Sequence, residues 1–327
     1  MRICLVCTEK NTVPPIRGGA IQTYIDGVLP YLSQVHDTTV ICRSDPALPE
    51  REERQGLRFV RVPGGDPAVY CPAVTRVLAN PAEPPFDRVI IYNRPAYVPA
   101  LARACRGAAI LLSMHNDMFG YDRLPPGVAR RILTQADAVI TISDYVGRVI
   151  DGLHPGFAHK LHTIRSGVDL DRFRPAWQAG PGARQAMRQR LGIPGHAPVV
   201  LHVSRLSPKK GNHLVIDAMA RVRTQFPDAQ LLLVGSSRYG SDLLDAYGEM
   251  VHRKACGLLG NAVHFTGFVP PARVGELFSA GDLFVCASQW EEPLARVHYE
   301  AMATGLPIVT TGRGGNTEVM EEGGNGL

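Results

Sequence analysis

Short apolar runs alternate with amphipathic stretches along almost the whole chain, and this alternation limits the fold more than any single motif does. Strand then helix, repeated, is the pattern of an α/β protein with parallel sheets. In the first half, strands are expected near residues 3–7, 38–42, 58–62, 88–92, 109–113, 138–141 and 161–164, with helices near 19–32, 96–104, 126–134 and 144–150. In the second half, strands fall near 199–203, 231–234, 263–265, 283–286 and 308–310, with helices near 210–225, 241–256, 271–280, 297–304 and 316–320. A chain of 327 residues exceeds one ordinary core, so two domains are expected. Between Phe173 and Pro198 the composition turns to Pro and Gly around one short helix near 183–191 (Pro175, Gly180, Pro181, Gly182, Pro194, Gly195). That places a boundary near Pro175. The expected architecture is two Rossmann-like domains, residues 1–175 and 176–327, facing each other across a cleft. Ligands of such sheets bind beyond the carboxyl ends of the strands, so the loops that follow strands carry the chemistry.

Five loops stand out. After the first strand, Gly18 and Gly19 lead into a helix, which permits close backbone approach and offers free amides to an anion. Neither the dinucleotide fingerprint nor a P-loop is present there. After the fifth run, His115 sits at a strand end in Ser113-Met-His-Asn-Asp117, placed to donate a hydrogen bond or move a proton. After residue 203, Arg205 leaves a strand and Lys209-Lys210 begin an expected helix; cations oppose the helix dipole there unless an anion joins them. After residue 286 come two carboxylates, Glu292 before Pro293 and Glu300 in a short helix closed by Gly305 and Pro307. Alone, such a pair also suits hydrolysis. Beside Arg205 and Lys210 it reads instead as a set of hydroxyl holders for a ligand that carries phosphate and sugar. The fifth loop holds Gly314-Gly315, whose amides are further candidates for phosphate or sugar contacts.

Composition narrows the remaining classes. Net charge is +5, with Lys and Arg spread along the chain, so nucleic acid is not indicated, and peripheral membrane contact is left open. No apolar run reaches bilayer length, and the N-terminal apolar run meets Glu9 too soon for a signal peptide. Seven scattered cysteines, mostly in apolar runs, fit a reducing, cytoplasmic setting. Asp169-Leu-Asp171 resembles a metal-holding acidic pair, but it lies away from the loops expected to meet a diphosphate, so a structural role and no metal are expected.

These residues, taken in order, resemble a retaining glycosyltransferase of family 4 with the GT-B fold. The marks are Gly18-Gly19, Ser166-Gly-Val-Asp169, Arg205 with Lys210-Gly211, and Glu292…Glu300 with Gly305-Leu-Pro307. The wording around 7–24 and 288–300 is similar to the spore-coat-associated glycosyltransferases of spore-forming bacteria. The resemblance implies a nucleoside-diphosphate sugar as co-substrate, UDP-sugar by default, with no obligatory cofactor. It places Glu300 on the ribose and Glu292 near the donor sugar, with the backbone of Leu294, Ala295, Arg296 and Val297 beside sugar and phosphate. Arg205 and Lys210 would neutralise the diphosphate, Gly18 and Gly19 would approach it from the N-terminal, acceptor-side domain, and His115 would contact the sugar. Where the family often carries Gly, this chain has Ala295. Family members continue through further helices beyond Leu327, so the donor-side domain is expected to be incomplete. The acceptor, whether glycan, lipid or protein, is not implied. Two other readings stand beside transfer: a non-catalytic coat or assembly protein that keeps the fold, and a nucleotide-sugar epimerase.

Overall fold

The computed structural model describes residues 1–178, 180 and 182–327. It divides into two compact units, Met1–Ser166 and Gly167–Leu327. The first holds β1 (Arg2–Val6), α1 (Ala20–Leu32), β2 (Asp37–Arg43), β3 (Arg51–Arg54), β4 (Leu57–Val62), α2 (Pro67–Leu78) and β5 (Arg88–Tyr92). It continues with α3 (Val98–Ala104), β6 (Ala109–Met114), α4 (Pro126–Gln135), β7 (Ala138–Thr141), α5 (Asp144–Leu153) and β8 (Leu161–Thr163). Its strands lie in the order β3-β4-β2-β1-β5-β6-β7-β8. All the pairs are parallel except β3 with β4.

The second unit holds α6 (Ala183–Arg190), β9 (Val199–Val203), α7 (Asn212–Gln225), β10 (Gln230–Val234), α8 (Ala246–Leu259) and β11 (Val263–Phe265). α9 (Pro271–Phe278), β12 (Leu283–Cys286), α10 (Arg296–Ala303) and β13 (Ile308–Thr310) complete it. Its five strands run β11-β10-β9-β12-β13, all parallel. From β9 the chain moves outward to β10 and β11, then returns to the far side of β9 for β12. The strand order therefore reverses between β9 and β12, and open sheets of this kind bind ligands beyond that point. In the first unit the same reversal falls between β1 and β5.

Both central strands are buried because helices cover both sheet faces: Ile3, Cys4, Leu5 and Val6 of β1, and Val199 and Leu201 of β9, are core residues. The helix expected near 316–320 is a 3-10 turn over Gly314–Glu318, and the one expected near 241–256 starts only at Ala246. Two further elements were not expected at all. β3 reads Arg-Glu-Glu-Arg and has no apolar alternation; it forms by antiparallel pairing with β4, an exposed charged edge of the kind that discourages further strand pairing. α2 contains Pro67 and Pro72, which mask it as a helix. Pro67 sits in the first turn, the Asp66 side chain caps the Ala68 amide, and Tyr70, Ala73, Val74 and Leu78 bury one face.

The Pro- and Gly-rich stretch around residue 175 belongs largely to the second unit. Phe173 packs edge-on against Phe278 at 5.6 Å within that unit's core. Arg188 of α6 is buried and donates to the carbonyls of Ala280, Gly195 and Ala197 and to Asp282. Pro181 of the expected linker, like Ala179, lies outside the described residues. Among the described residues, no helix is long and apolar enough to cross a membrane.

Candidate functional site

In the second unit the loops after β9 and β12 meet. Glu292, from the β12 loop, is 7% exposed, and its Oε2 accepts from Lys210 Nζ at 2.6 Å. The same oxygen accepts from Ser288 Oγ and Trp290 Nε1, each at 2.8 Å. Three donors on one oxygen fix the carboxylate and compensate its burial. The ammonium groups of Lys209 and Lys210 also lie over the Trp290 ring, at 5.0 and 5.9 Å. Lys210 and Glu292, expected to act on different parts of one ligand, are thus each other's partners here. Ser288 and Trp290 were missed by sequence reasoning, although both lie within four residues of Glu292.

The two lysines do not begin a helix as expected. Pro208–Lys210 is a single 3-10 turn, and Gly211 at φ +67° interrupts it before α7 starts at Asn212. The anticipated conflict with the helix dipole therefore does not arise. Gly211 has a steric reason: a Cβ there would stand 2.0 Å from the Ala287 carbonyl oxygen. The Gln289 amide donates to the Lys209 carbonyl and completes the join between the two loops. Arg205 is exposed, its guanidinium 5.3 Å from the Tyr239 ring centre.

A buried polar cluster supports this loop. His202 of β9 places Nδ1 2.8 Å from the Val285 carbonyl, and its Nε2 lies near Ser204 Oγ and Asn212 Nδ2, at 2.8 and 3.1 Å. Asn212 Oδ1 accepts from the Ser207 amide. Burial pushes His202 down to about 4; its bond to Val285 acts against this, and the charge of Lys210 adds to it. The cluster therefore holds a neutral imidazole that donates to Val285. A histidine titrating near 6.5 when unfolded gains stability from this arrangement at and above that pH. It loses the gain as pH falls toward 4, a total of about 3 kcal/mol. Thermal unfolding of His202→Gln followed from pH 7 to pH 4 is expected to slope less steeply than wild type; parallel curves would remove His202 as the cause. A His inside the apolar run Val-Val-Leu-His-Val was the one sequence signal for it.

Glu300 occupies the middle of α10, its side chain 12% exposed, 3.9 Å from Arg296 one turn back. Burial raises its carboxyl above the usual range, against the opposing charges of Arg296 and Arg172. It thus has a different set of partners from Glu292. Of the backbone candidates, Leu294 and Ala295 are buried, and the Ala295 amide already donates to Asn316 Oδ1. Arg296 and Val297 open the helix. His298, not anticipated, is fully buried between the Ala295 carbonyl and Thr310 Oγ1. Gly314 and Gly315 differ from expectation: their amides donate to Glu291 and to the Glu292 carbonyl. A Cβ on Gly314 would stand 2.2 Å from that carbonyl oxygen, so this turn serves to seat Glu292.

In the first unit, Gly18 and Gly19 adopt φ +87° and +114° before α1. Gln22 Nε2 reaches back to Thr8 Oγ1 and the Asn11 carbonyl, bracing the loop. His115 lies edge-on to Tyr24 at 4.7 Å, with Nε2 3.1 Å from Ser113 Oγ. Its amide donates to Asn93 Oδ1. Where β1 and β5 diverge, Arg94 forks onto Glu9, and Tyr97 Oη donates to the same carboxylate. Arg94 is thereby committed to a buried pair. Asp169 closes a local turn onto the amides of Asp171 and Arg172, and no metal-ligating cluster occurs among the described residues.

The comparisons with known proteins are decisive at this point. Residues 18–172 match the model of Glycosyltransferase Family 4, and residues 183–327 match that of Glycosyl transferases group 1. Spore coat protein SA of Bacillus subtilis is 41% identical over 327 residues, spanning all of this chain and 85% of its own length. The chain belongs to glycosyltransferase family 4. A second family relative, the putative glycosyltransferase YtcC of the same organism, is 37% identical over all of this chain and 79% of its own. A GDP-mannose-dependent phosphatidylinositol monomannoside mannosyltransferase of Mycolicibacterium smegmatis is 32% identical, over 97% of this chain and 82% of its own. Among solved structures, Anabaena Alr3699/HepE in complex with UDP-glucose superposes with TM-score 0.76 and 25% identity over all of this chain and 85% of its own. The family's GT-B fold and its two α/β units are thus established for this glycosyltransferase.

Proposed function

We propose that this family 4 glycosyltransferase moves a sugar from a nucleoside-diphosphate donor to an acceptor with retention of anomeric configuration. The contact that carries the reading is Lys210 on Glu292 at the strand reversal of the second unit, 2.6 Å apart. A diphosphate arriving there offers the ammonium a second anionic partner, and the carboxylate becomes available to sugar hydroxyls. Arg205 supplies a further exposed cation. The second unit is the donor side in this reading, with Glu300 on the ribose. In the first unit, the acceptor side, Gly18, Gly19 and His115 are the proposed contacts to phosphate and sugar. The complex of HepE with UDP-glucose supports a UDP-sugar, and the GDP-mannose-dependent relative makes GDP-mannose the second donor to test.

Retention follows from attack on the same face as the departing group. The acceptor oxygen bonds to the anomeric carbon as the bond to the diphosphate oxygen breaks, and the acceptor proton passes to a phosphate oxygen. Charge then grows on the leaving diphosphate, where fixed cations count most. Arg205→Ala is accordingly expected to lower kcat on the order of tenfold or more while changing donor affinity less. Incubation with UDP-, GDP- and ADP-sugars, followed by NMR of released nucleotide and product anomer, tests the whole reading. Inverted product sinks the retaining mechanism, and an altered sugar still attached to its nucleotide identifies an epimerase. A second reading, a non-catalytic coat or assembly protein, rests on the name of the 41% identical relative. It predicts no nucleotide release with any donor.

A further inference from the structure

Helices α3 and α4 of the first unit pack side by side and border an open surface cavity of about 370 Å³. Pro99, Ala102, Arg103, Arg106, Arg131 and Gln135 line it. The three arginines are exposed, and among the described residues none of them forms an ion pair or hydrogen bond with the protein. The surrounding sequence carries no acid at all between Arg88 and Asn116, nor between Arg123 and Ala136. The neighbouring Arg130 rests on the Phe157 ring at 5.5 Å. Asp137, the next acid along the chain, accepts from the Ile110 amide through its Oδ2.

Helices that link parallel strands return from the carboxyl edge of the sheet to the amino edge. Arg103 lies in the last turn of α3, Arg106 two residues past its end, and Arg131 and Gln135 in the second half of α4, hence toward the amino edge. Gly19 and His115 follow β1 and β6 at the carboxyl edge. The cavity is therefore separate from the loops assigned to transfer. The dipole of α3 accounts for Arg103 in its last turn. It does not account for three uncompensated guanidinium groups around one concavity.

We infer that this cavity is a second binding site, for a multiply charged phosphate group. Three guanidinium forks match the oxygens of such a group, whereas a single carboxylate leaves two of the cations uncompensated. Pro99 and Ala102 give the non-phosphate part of the ligand an apolar wall. The phosphate can belong to a soluble compound or to a lipid headgroup, and the test separates the two.

Hydrogen exchange is followed in peptides covering residues 98–108 and 126–136, at low ionic strength, where exposed charge contacts are strongest. One arm titrates pyrophosphate. The other titrates vesicles of equal parts phosphatidylglycerol and phosphatidylcholine. Protection in both peptides is expected in at least one arm. Protection by pyrophosphate assigns a soluble source, and protection by vesicles alone assigns a headgroup. Arg103→Gln/Arg106→Gln/Arg131→Gln is expected to weaken the protecting interaction about tenfold or more, with three charge-assisted contacts removed. Arg51→Gln/Arg76→Gln/Arg221→Gln, equal in charge and placed elsewhere, is expected to change it less than about threefold, as screened distant charges do. The rate of sugar transfer should be unaffected by either triple change. Absence of protection in both arms overturns the inference, and so does equal weakening by the two triple variants.

Discussion

Lys210→Met is expected to reduce kcat/KM for sugar transfer on the order of 100-fold or more, the scale seen when one fixed charge-stabilising donor is removed from a site. The same change should destabilise the second unit by about 2–3 kcal/mol, because it leaves Glu292 buried without its cation. The two effects have different origins and can be separated. In Lys210→Met/Glu292→Gln the orphaned charge is gone, Ser288 and Trp290 still have an oxygen to donate to, and most of the stability should return. Transfer should not return, since the cation facing the diphosphate is still missing. Thermal unfolding and initial rates of the single and double variants check both parts. Recovery of transfer in the double variant would mean that Lys210 serves only to neutralise Glu292.

The second large effect concerns backbone. Gly211→Ala is expected to destabilise the protein by about 3 kcal/mol or more, from two costs that add. One is the left-handed conformation at φ +67°, worth about 1 kcal/mol for a residue with a Cβ. The other is the collision of that Cβ with the Ala287 carbonyl oxygen at 2.0 Å, which only separation of the β9 and β12 loops relieves. For a unit of this size the midpoint should fall by roughly 10 °C. Because the separation moves Lys210 away from Glu292, activity should fall below the level that lost stability explains. Gly257→Ala is the control: it lies inside α8 with no atom within 4 Å of the added Cβ, and it should be neutral or slightly stabilising. Similar midpoints for the two variants would show that the loop contact is not as close as described.

Much of the fold was legible because parallel strands buried on both faces are written as short apolar runs. The strands expected at 88–92, 199–203, 263–265 and 283–286 match those observed, residue for residue. β3 was not legible, since its order comes from a partner strand rather than from its own Arg-Glu-Glu-Arg. α2 was hidden because prolines that its first turn and exposed face tolerate look like breaks in a one-dimensional reading. In the candidate site, residue types were legible and partnerships were not. Lys210 meets Glu292 across 82 residues, and Arg94 meets Glu9 across 85. No local periodicity encodes such pairs. The Gly314-Gly315 turn shows the same limit: the glycines were visible, but the carbonyl that requires one of them lies at Glu292.

The central claim is that the second unit holds a nucleoside diphosphate through Glu300 and the cations after β9. Titration calorimetry with UDP and GDP, on wild type and Glu300→Ala, tests it most directly. Wild type should bind at least one of the two, and Glu300→Ala should weaken that binding about tenfold or more through loss of the ribose contact, with its folding midpoint nearly unchanged. Equal binding by the two proteins, or no binding by wild type, would contradict the account.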